Sequence, residues 1–140
     1  MSADAETSLR DNILTTCHTV AVVGASDNAD RPSHRVVDYL GRHGFFVIPV
    51  NPTTKQVMGL QSYPDLKSIP EKVEVVDIFR RPEETPAIVE DAIAIGAKAV
   101  WMQEGVVNEE AAARARKAGL LVVMDKCMRK EHMRLTGLSE

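Results

Sequence analysis

Two stretches carry residue types that suit phosphate chemistry. One is Gly24-Ala25-Ser26-Asp27-Asn28-Ala29-Asp30-Arg31-Pro32-Ser33, which follows the apolar run Val20–Val23. Gly24 permits a tight turn there. Ser26 and the N–H groups after it suit phosphate oxygens, and a helix starting near Ser33 would point its positive end the same way. The other stretch is Phe79-Arg80-Arg81-Pro82, which closes the run Val75–Ile78. Guanidinium forks match the geometry of phosphate oxygens, and a diphosphate would draw both arginines. Ordinary strand-to-helix turns use the same small and polar residues, and lone surface arginines are common, so each stretch by itself has a plain structural alternative.

The first stretch is not a dinucleotide fingerprint, because G-x-G-x-x-G is absent. The acid that would take the ribose 2′-hydroxyl of NAD is also missing. The second strand ends at Val50-Asn51-Pro52, and no Asp or Glu occurs between Asp38 and Asp65. Thr53-Thr54-Lys55 follows instead. Lys55 suits a nucleotide with an extra phosphate on its ribose, such as NADP or coenzyme A; taken alone, a solvated loop lysine is the better reading. Past the apolar run Ala99–Met102 come Gln103, Glu104 and Gly105, whose backbone and amide groups suit a pantetheine arm. Trp101, the sole tryptophan, reads as core or subunit contact rather than a stacking partner. Cys127, between Lys126 and Arg129, has basic neighbours that favour a thiolate, but a small buried hydrophobe is the better local reading.

These residues must be positioned by the elements that precede them. Five apolar runs read as strands: Val20–Gly24, Phe46–Val50, Val75–Phe79, Ala99–Met102 and Leu120–Met124. They are continuous rather than alternating, as in strands covered on both faces. A sixth, weaker strand is expected near Val57–Gln61. Helices are expected at Glu6–Cys17, Ser33–Arg42, from Pro82 or Thr85 to Gly96, from Asn108 to Gly119, and at Lys126–Leu135. Asn108 reads as a cap, with Glu109 and Glu110 at the positive end and Arg114, Arg116 and Lys117 at the negative end. Strands alternating with helices imply right-handed βαβ units. The expected fold is α/β, a Rossmann-like doubly wound and mostly parallel sheet of order 3-2-1-4-5-6 with helices on both faces. In that order the strands ending at Gly24 and Phe79 are neighbours, and their carboxyl ends border the ligand crevice.

The 140 residues suit one domain, 1–140, with a leading helix in 1–17 and a trailing helix and tail in 126–140. A chain of this length buries roughly two-thirds of its unfolded surface and needs no disulfide or metal to fold. Lys+Arg 17 against Asp+Glu 20 argues against a nucleic-acid or polybasic membrane binder. No apolar run approaches the ~18 residues of a membrane span, and the start lacks the pattern of a secretory signal. Cys17 and Cys127 form neither a disulfide framework nor a zinc spacing. The expectation is a cytoplasmic, reduced protein without a metal site.

Five segments then occur in a telling order: Gly24-Ala25-Ser26-Asp27-Asn28, Pro49-Val50-Asn51-Pro52, Val76-Asp77-Ile78-Phe79-Arg80-Arg81-Pro82, Trp101-Met102-Gln103-Glu104-Gly105 and Val123-Met124-Asp125-Lys126-Cys127. Together they resemble the stand-alone CoA-binding domain proteins of bacteria and archaea, a family similar to the amino-terminal domain of the succinyl-CoA synthetase α subunit. The resemblance covers roughly Leu14 to Leu135. It implies a cofactor, coenzyme A or acyl-CoA, held at Gly24 to Asn28, Arg31 and Ser33, at Pro52 and Lys55, and by the loops at Phe79, Arg80, Arg81, Gln103, Glu104 and Gly105. Cys127 matches a cysteine close to the ligand in the synthetase.

His18, His34, His43 and His132 match no phosphate-carrying histidine motif, so the resemblance supports binding and not ligase activity. The leading reading is a small cytoplasmic protein that binds CoA or acyl-CoA without catalysis of its own. The alternatives are an NADP-dependent reductase fragment and a ligand-sensing module acting through a partner protein. A homodimer or another protein partner stays open, with Trp101, Val106 and Val107 as apolar candidates for a contact. Nucleic acid and membrane are not expected partners.

Overall fold

A computed structural model describes residues 2–138 of the chain. The five apolar runs lie side by side in one parallel sheet: β1 (Thr19–Val23), β2 (Phe46–Val50), β5 (Val75–Ile78), β6 (Ala99–Met102) and β7 (Leu121–Val123). Their order is β2-β1-β5-β6-β7. Alternate residues face opposite ways. Val20, Val22, Val75, Ala99 and Trp101 join a core shared with α1 (Ala3–Thr16), α2 (Pro32–Arg42) and α5 (Met128–Thr136). Ala21, Val23, Val76, Ile78, Val100 and Met102 join a second core shared with α3 (Thr85–Ala94) and α4 (Glu109–Lys117). Every strand is therefore covered on both faces, which is why the runs are continuously apolar.

Local chemistry sets the helix ends. The Asn108 side chain accepts from the Ala111 N–H at 2.9 Å, and Gly119 follows α4 with φ 94°. Pro32 opens α2, and Val36, Val37, Tyr39 and Leu40 form its buried face. A 3-10 turn at Pro82–Glu84 precedes α3, so Thr85 lies inside the first turn rather than capping it. The leading helix begins earlier than expected because the Ser2 hydroxyl caps it through the Ala5 N–H. Met1, Ser139 and Glu140 of the expected end segments lie outside the described residues.

One strand expectation is corrected. The segment near Val57–Gln61 is not a sixth member of the sheet but a hairpin of β3 (Gln56–Val57) and β4 (Leu60–Gln61), paired antiparallel with each other. Met58 and Gly59 both have positive φ, 53° and 78°, as a tight two-residue hairpin turn requires. The turn folds the run onto itself, and only the single bridge between Val50 and Tyr63 continues the sheet past β2. The order of the other strands is as expected. Of the two readings of Trp101, core holds and subunit contact does not: it is fully buried and donates its indole N–H to the Lys126 carbonyl at 2.8 Å.

The decisive junction is where β1 and β5 end. The chain leaves β1 for α2 on one face and β5 for α3 on the other, and the two strands pair through Val23 and Ile78. Phe79 N–H donates to the Val23 carbonyl at 2.8 Å, and Gly24 N–H to the Val50 carbonyl at 3.0 Å. At Gly24, with φ 93°, a Cβ would stand 2.3 Å from the Phe79 carbonyl oxygen. Backbone blocks the space, and backbone cannot rotate away. Gly24→Ala should therefore destabilise the protein by about 3 kcal/mol or more, combining a left-handed backbone with overpacking. Urea unfolding measures this; a loss below about 1 kcal/mol would show that the two strand ends separate freely.

β5 also carries an ionisable group inside the sheet. Asp77 is fully buried between its register partners Val22 and Trp101, and neither carboxyl oxygen has a hydrogen-bond partner among the described residues. Burial pushes this carboxyl well above the ordinary carboxylate range. The folded chain thus keeps a proton that the unfolded chain releases above about pH 4. Its contribution to stability is complete below that pH and declines as pH rises toward the folded-state value. Asp77→Asn cannot ionise, so its stability relative to wild type should gain up to about 1.4 kcal/mol per pH unit across that window. Denaturant titrations between pH 4 and 7 check this; a gap independent of pH would mean the carboxyl does not hold the proton.

Candidate functional site

The loops that follow the five parallel strands meet along one edge of the sheet, and a chain of connected clefts runs between them. The smallest, about 250 Å³, sits over the β1–β5 junction and is lined by Gly24, Ser26, Arg31, Ser33, Asn51 and Arg80 among others. Next to it an apolar cleft of about 460 Å³ has Val23, Val50, Pro52, Leu66 and Ile88 in its walls, with Arg80 shared at the boundary. On the other side a cleft of about 630 Å³ runs past Arg81, Gln103, Glu104 and Gly105. A fourth, about 620 Å³, continues between α2 and α5 to Cys127. Phe79 and Arg31 line three of the four.

The loop after β1 is built by its own side chains. Ser26 Oγ accepts from the Asn28 N–H at 3.1 Å, and Asn28 Oδ1 accepts from the Asp30 N–H at 2.9 Å. These two local turns carry the chain to Arg31, and α2 begins at Pro32. Ser33, in the first turn of α2, is buried at 3% exposure, yet its hydroxyl has no internal hydrogen bond among the described residues. A hydroxyl at a helix N-terminus that lines a small polar cleft is a ready anion donor.

The tandem arginines separate in space. Arg81 is exposed and forms an ion pair with Glu84 at 3.2 Å, which holds that carboxyl below the ordinary range. Arg80 has no ion pair or hydrogen bond among the described residues and lines three clefts, including the one over Gly24. Of the two guanidinium groups, Arg80 is the one left for an anion in the crevice.

Several of the other expected residues also make contacts within the scaffold. Asp27 Oδ1 accepts from the Met58 N–H at 2.9 Å and so ties the loop after β1 to the hairpin turn. Asp27 and Asn28 are exposed and line none of the four clefts, and Ala25 is buried with its carbonyl accepting from Asn51. Lys55 is exposed on the loop before β3 and likewise lines none of them. Gln103 is buried and accepts from the Met128 N–H at 3.0 Å, which satisfies one orphan donor of α5 while it lines two clefts. Glu104 pairs with Lys130 at 3.0 Å, and the Gly105 N–H donates to Asp125 at 2.8 Å. Cys127 is the N-cap residue of α5 and is buried against the wide cleft.

Asn51 was missed as a site residue. It donates from Nδ2 to the Ala25 carbonyl at 2.8 Å and accepts from Thr53 at both N and Oγ1, so one amide braces two loops around the small cleft. The Asn-Pro step at a strand end was the available signal, since Asn there commonly bonds its own backbone two residues on. Arg129, at the far end of the wide cleft, was also missed, because nothing local in Lys126–Lys130 distinguishes a buried arginine from an exposed one.

The arrangement offers unpaired guanidinium, hydroxyl and helix N-terminal groups at the switch point of a doubly wound sheet, next to an apolar cleft. Such a crevice suits a nucleotide with phosphates. Comparison with known proteins agrees with this frame. A family model described as "CoA binding domain" matches residues 18–133. The chain is 38% identical over 120 residues to the protein YneT of Bacillus subtilis, across 86% of this chain and 89% of that one. It superposes with a TM-score of 0.90 on the structure of a hypothetical protein from Pyrococcus horikoshii, at 45% identity, covering 94% and 92% of the two chains. A segment of 94 residues, 66% of this chain, is 29% identical to the ADP-forming acetate–CoA ligase II of Archaeoglobus fulgidus, of which it takes up 14%. With its doubly wound sheet and its switch-point crevice, the chain belongs to the CoA-binding domain family.

Proposed function

We propose that this protein binds coenzyme A or an acyl-CoA in the crevice along the carboxyl edge of the sheet and has no catalytic step of its own. The observation that carries the reading is Arg80: an unpaired guanidinium beside Gly24, Ser26 and Ser33, between an apolar cleft and a long polar one. The diphosphate belongs over the small cleft, where the Ser33 hydroxyl, the start of α2, Arg31 and Arg80 supply positive charge and donors. The adenine belongs in the apolar cleft against Val50, Pro52 and Ile88. Lys55, on the loop that leaves Pro52, is assigned to the ribose phosphate that distinguishes CoA from its dephospho form. The pantetheine arm runs past Phe79 and Gln103–Gly105 toward Cys127.

The chemistry that coenzyme A supplies when bound is a thiol able to carry an acyl group. The chain's own groups orient it. Gln103 holds the start of α5 through Met128, and Trp101 and Asp125 lock the loops after β6 and β7. Asn51 and Asp27 brace the loop that faces the diphosphate. A site fixed by such ties loses little conformational entropy when the ligand arrives.

Calorimetry with CoA, dephospho-CoA, NAD and NADP tests the assignment, and CoA is expected to bind most tightly. Equal affinity for dephospho-CoA would remove the role given to Lys55, and tightest binding of NAD or NADP would overturn the whole reading. Within the arginine pair, Arg80→Met should weaken CoA binding roughly tenfold or more, the worth of one charge-assisted contact. Arg81→Met should cost less, because its charge already faces Glu84. The reverse ranking would place the diphosphate outside the cleft over Gly24.

A further inference from the structure

The wide cleft between α2 and α5 ends at a group that the reading above does not use. Arg129, in the first turn of α5, lines this cleft and is only 8% exposed. Its Nε is wholly buried and has no acceptor among the described residues. Among the described residues its one side-chain hydrogen bond is from Nη1 to the Met133 sulfur at 3.7 Å. A buried cation is normally paired, and the same fold pairs another: Arg10, whose side chain is 13% exposed, meets Glu131 at 2.8 Å. Arginine cannot relieve its burial by giving up a proton, as lysine can. The Arg129 charge has no counterion among the described residues.

The other charges around the cleft do not supply it. Glu104 is taken by Lys130 at 3.0 Å, and Asp38 pairs with Arg42 at 3.2 Å. Arg31, Arg35 and Arg129 remain, with Asp30 the one further carboxylate in the lining. The start of α5 adds its positive end, with Cys127 at the cap position. Gln103 occupies the first N–H of that turn, which fixes the helix start against the cleft wall.

We propose that Arg129 anchors a second anion site for a small oxyanion, a carboxylate or a phosphate, beside the start of α5 in the cleft that Asp30 and Arg31 also line. A guanidinium fork matches either group by two parallel hydrogen bonds. The oxyanion has two sources: a carboxylate on the acyl chain of a bound CoA thioester, or a free ion. The first source rests on the CoA reading, because it needs the pantetheine arm to end near Cys127. The second does not.

Side-chain Nε–H resonances of arginine, assigned through Arg129→Met, report on the site directly in the intact protein. Titration with inorganic phosphate and with malonate tests the free ion. Malonyl-CoA against propionyl-CoA, by calorimetry and by the same resonances, tests the acyl carboxylate. The expected result is a shift of the Arg129 signal by at least one of these ligands. A bound ion or a malonyl preference should be roughly tenfold weaker in Arg129→Met, and Arg129→Lys should fall between, with the charge kept and the fork lost. A response to phosphate or malonate without a malonyl preference assigns a free ion; a malonyl preference assigns the acyl chain. An Arg129 signal unmoved by phosphate, malonate and malonyl-CoA overturns the proposal. Failure of CoA to bind while phosphate still moves Arg129 removes the CoA reading and leaves this site standing.

Discussion

The contact between the ends of β1 and β5 governs the rest of the molecule. Gly24 lies so close to the Phe79 carbonyl that no side chain fits between them. That approach brings the loop after β1, with its hydroxyls and the start of α2, beside the loop that carries Arg80. It sits where the chain turns to opposite faces of the sheet, so no crossover helix covers the space above it. The crevice is thus a consequence of topology, and its narrowness is a consequence of one missing Cβ.

Around that junction, hydrogen bonds between distant loops set the shape. Asn51 reaches the Ala25 carbonyl, Asp27 reaches the hairpin at Met58, Gln103 reaches Met128, and Asp125 reaches Gly105. Each uses a polar side chain to satisfy backbone that the loops would otherwise leave open. Several acidic residues near the crevice are consumed in the same way. Glu84 and Glu104 face Arg81 and Lys130, which leaves Arg31, Arg35, Arg80 and Arg129, without ion pairs among the described residues, spread along the edge of the sheet. A chain with more acidic than basic residues can therefore still present a cationic crevice.

Where the sequence misled, long-range geometry was the cause. Val57–Gln61 has the composition of a strand, but positive φ at Met58 and Gly59 closes it into a hairpin. Residue type leaves Trp101 open to core or subunit contact, and the interior position of β6, with core on both sides, decides for core. Asp27 lies in a phosphate-suited loop, and its carboxylate accepts from the Met58 N–H, a long-range tie that no local pattern announces. Asp77 sits in an apolar run and is fully buried without a hydrogen-bond partner among the described residues, which strand periodicity cannot forecast.

The amino-acid order by itself determined the elements and the switch point. Strand runs, caps and glycines act through neighbours a few residues away, and the handedness of βαβ units then restricts the order of the strands. Only the tertiary structure decided which polar groups are free. Whether Arg80, Arg81 or Arg129 keeps its charge available depends on carboxylates and backbone brought near by folding, and on how much water the fold removes. Those distances are set by packing between segments far apart in the chain, so the residue types carry the chemistry while the packing selects which of them can use it.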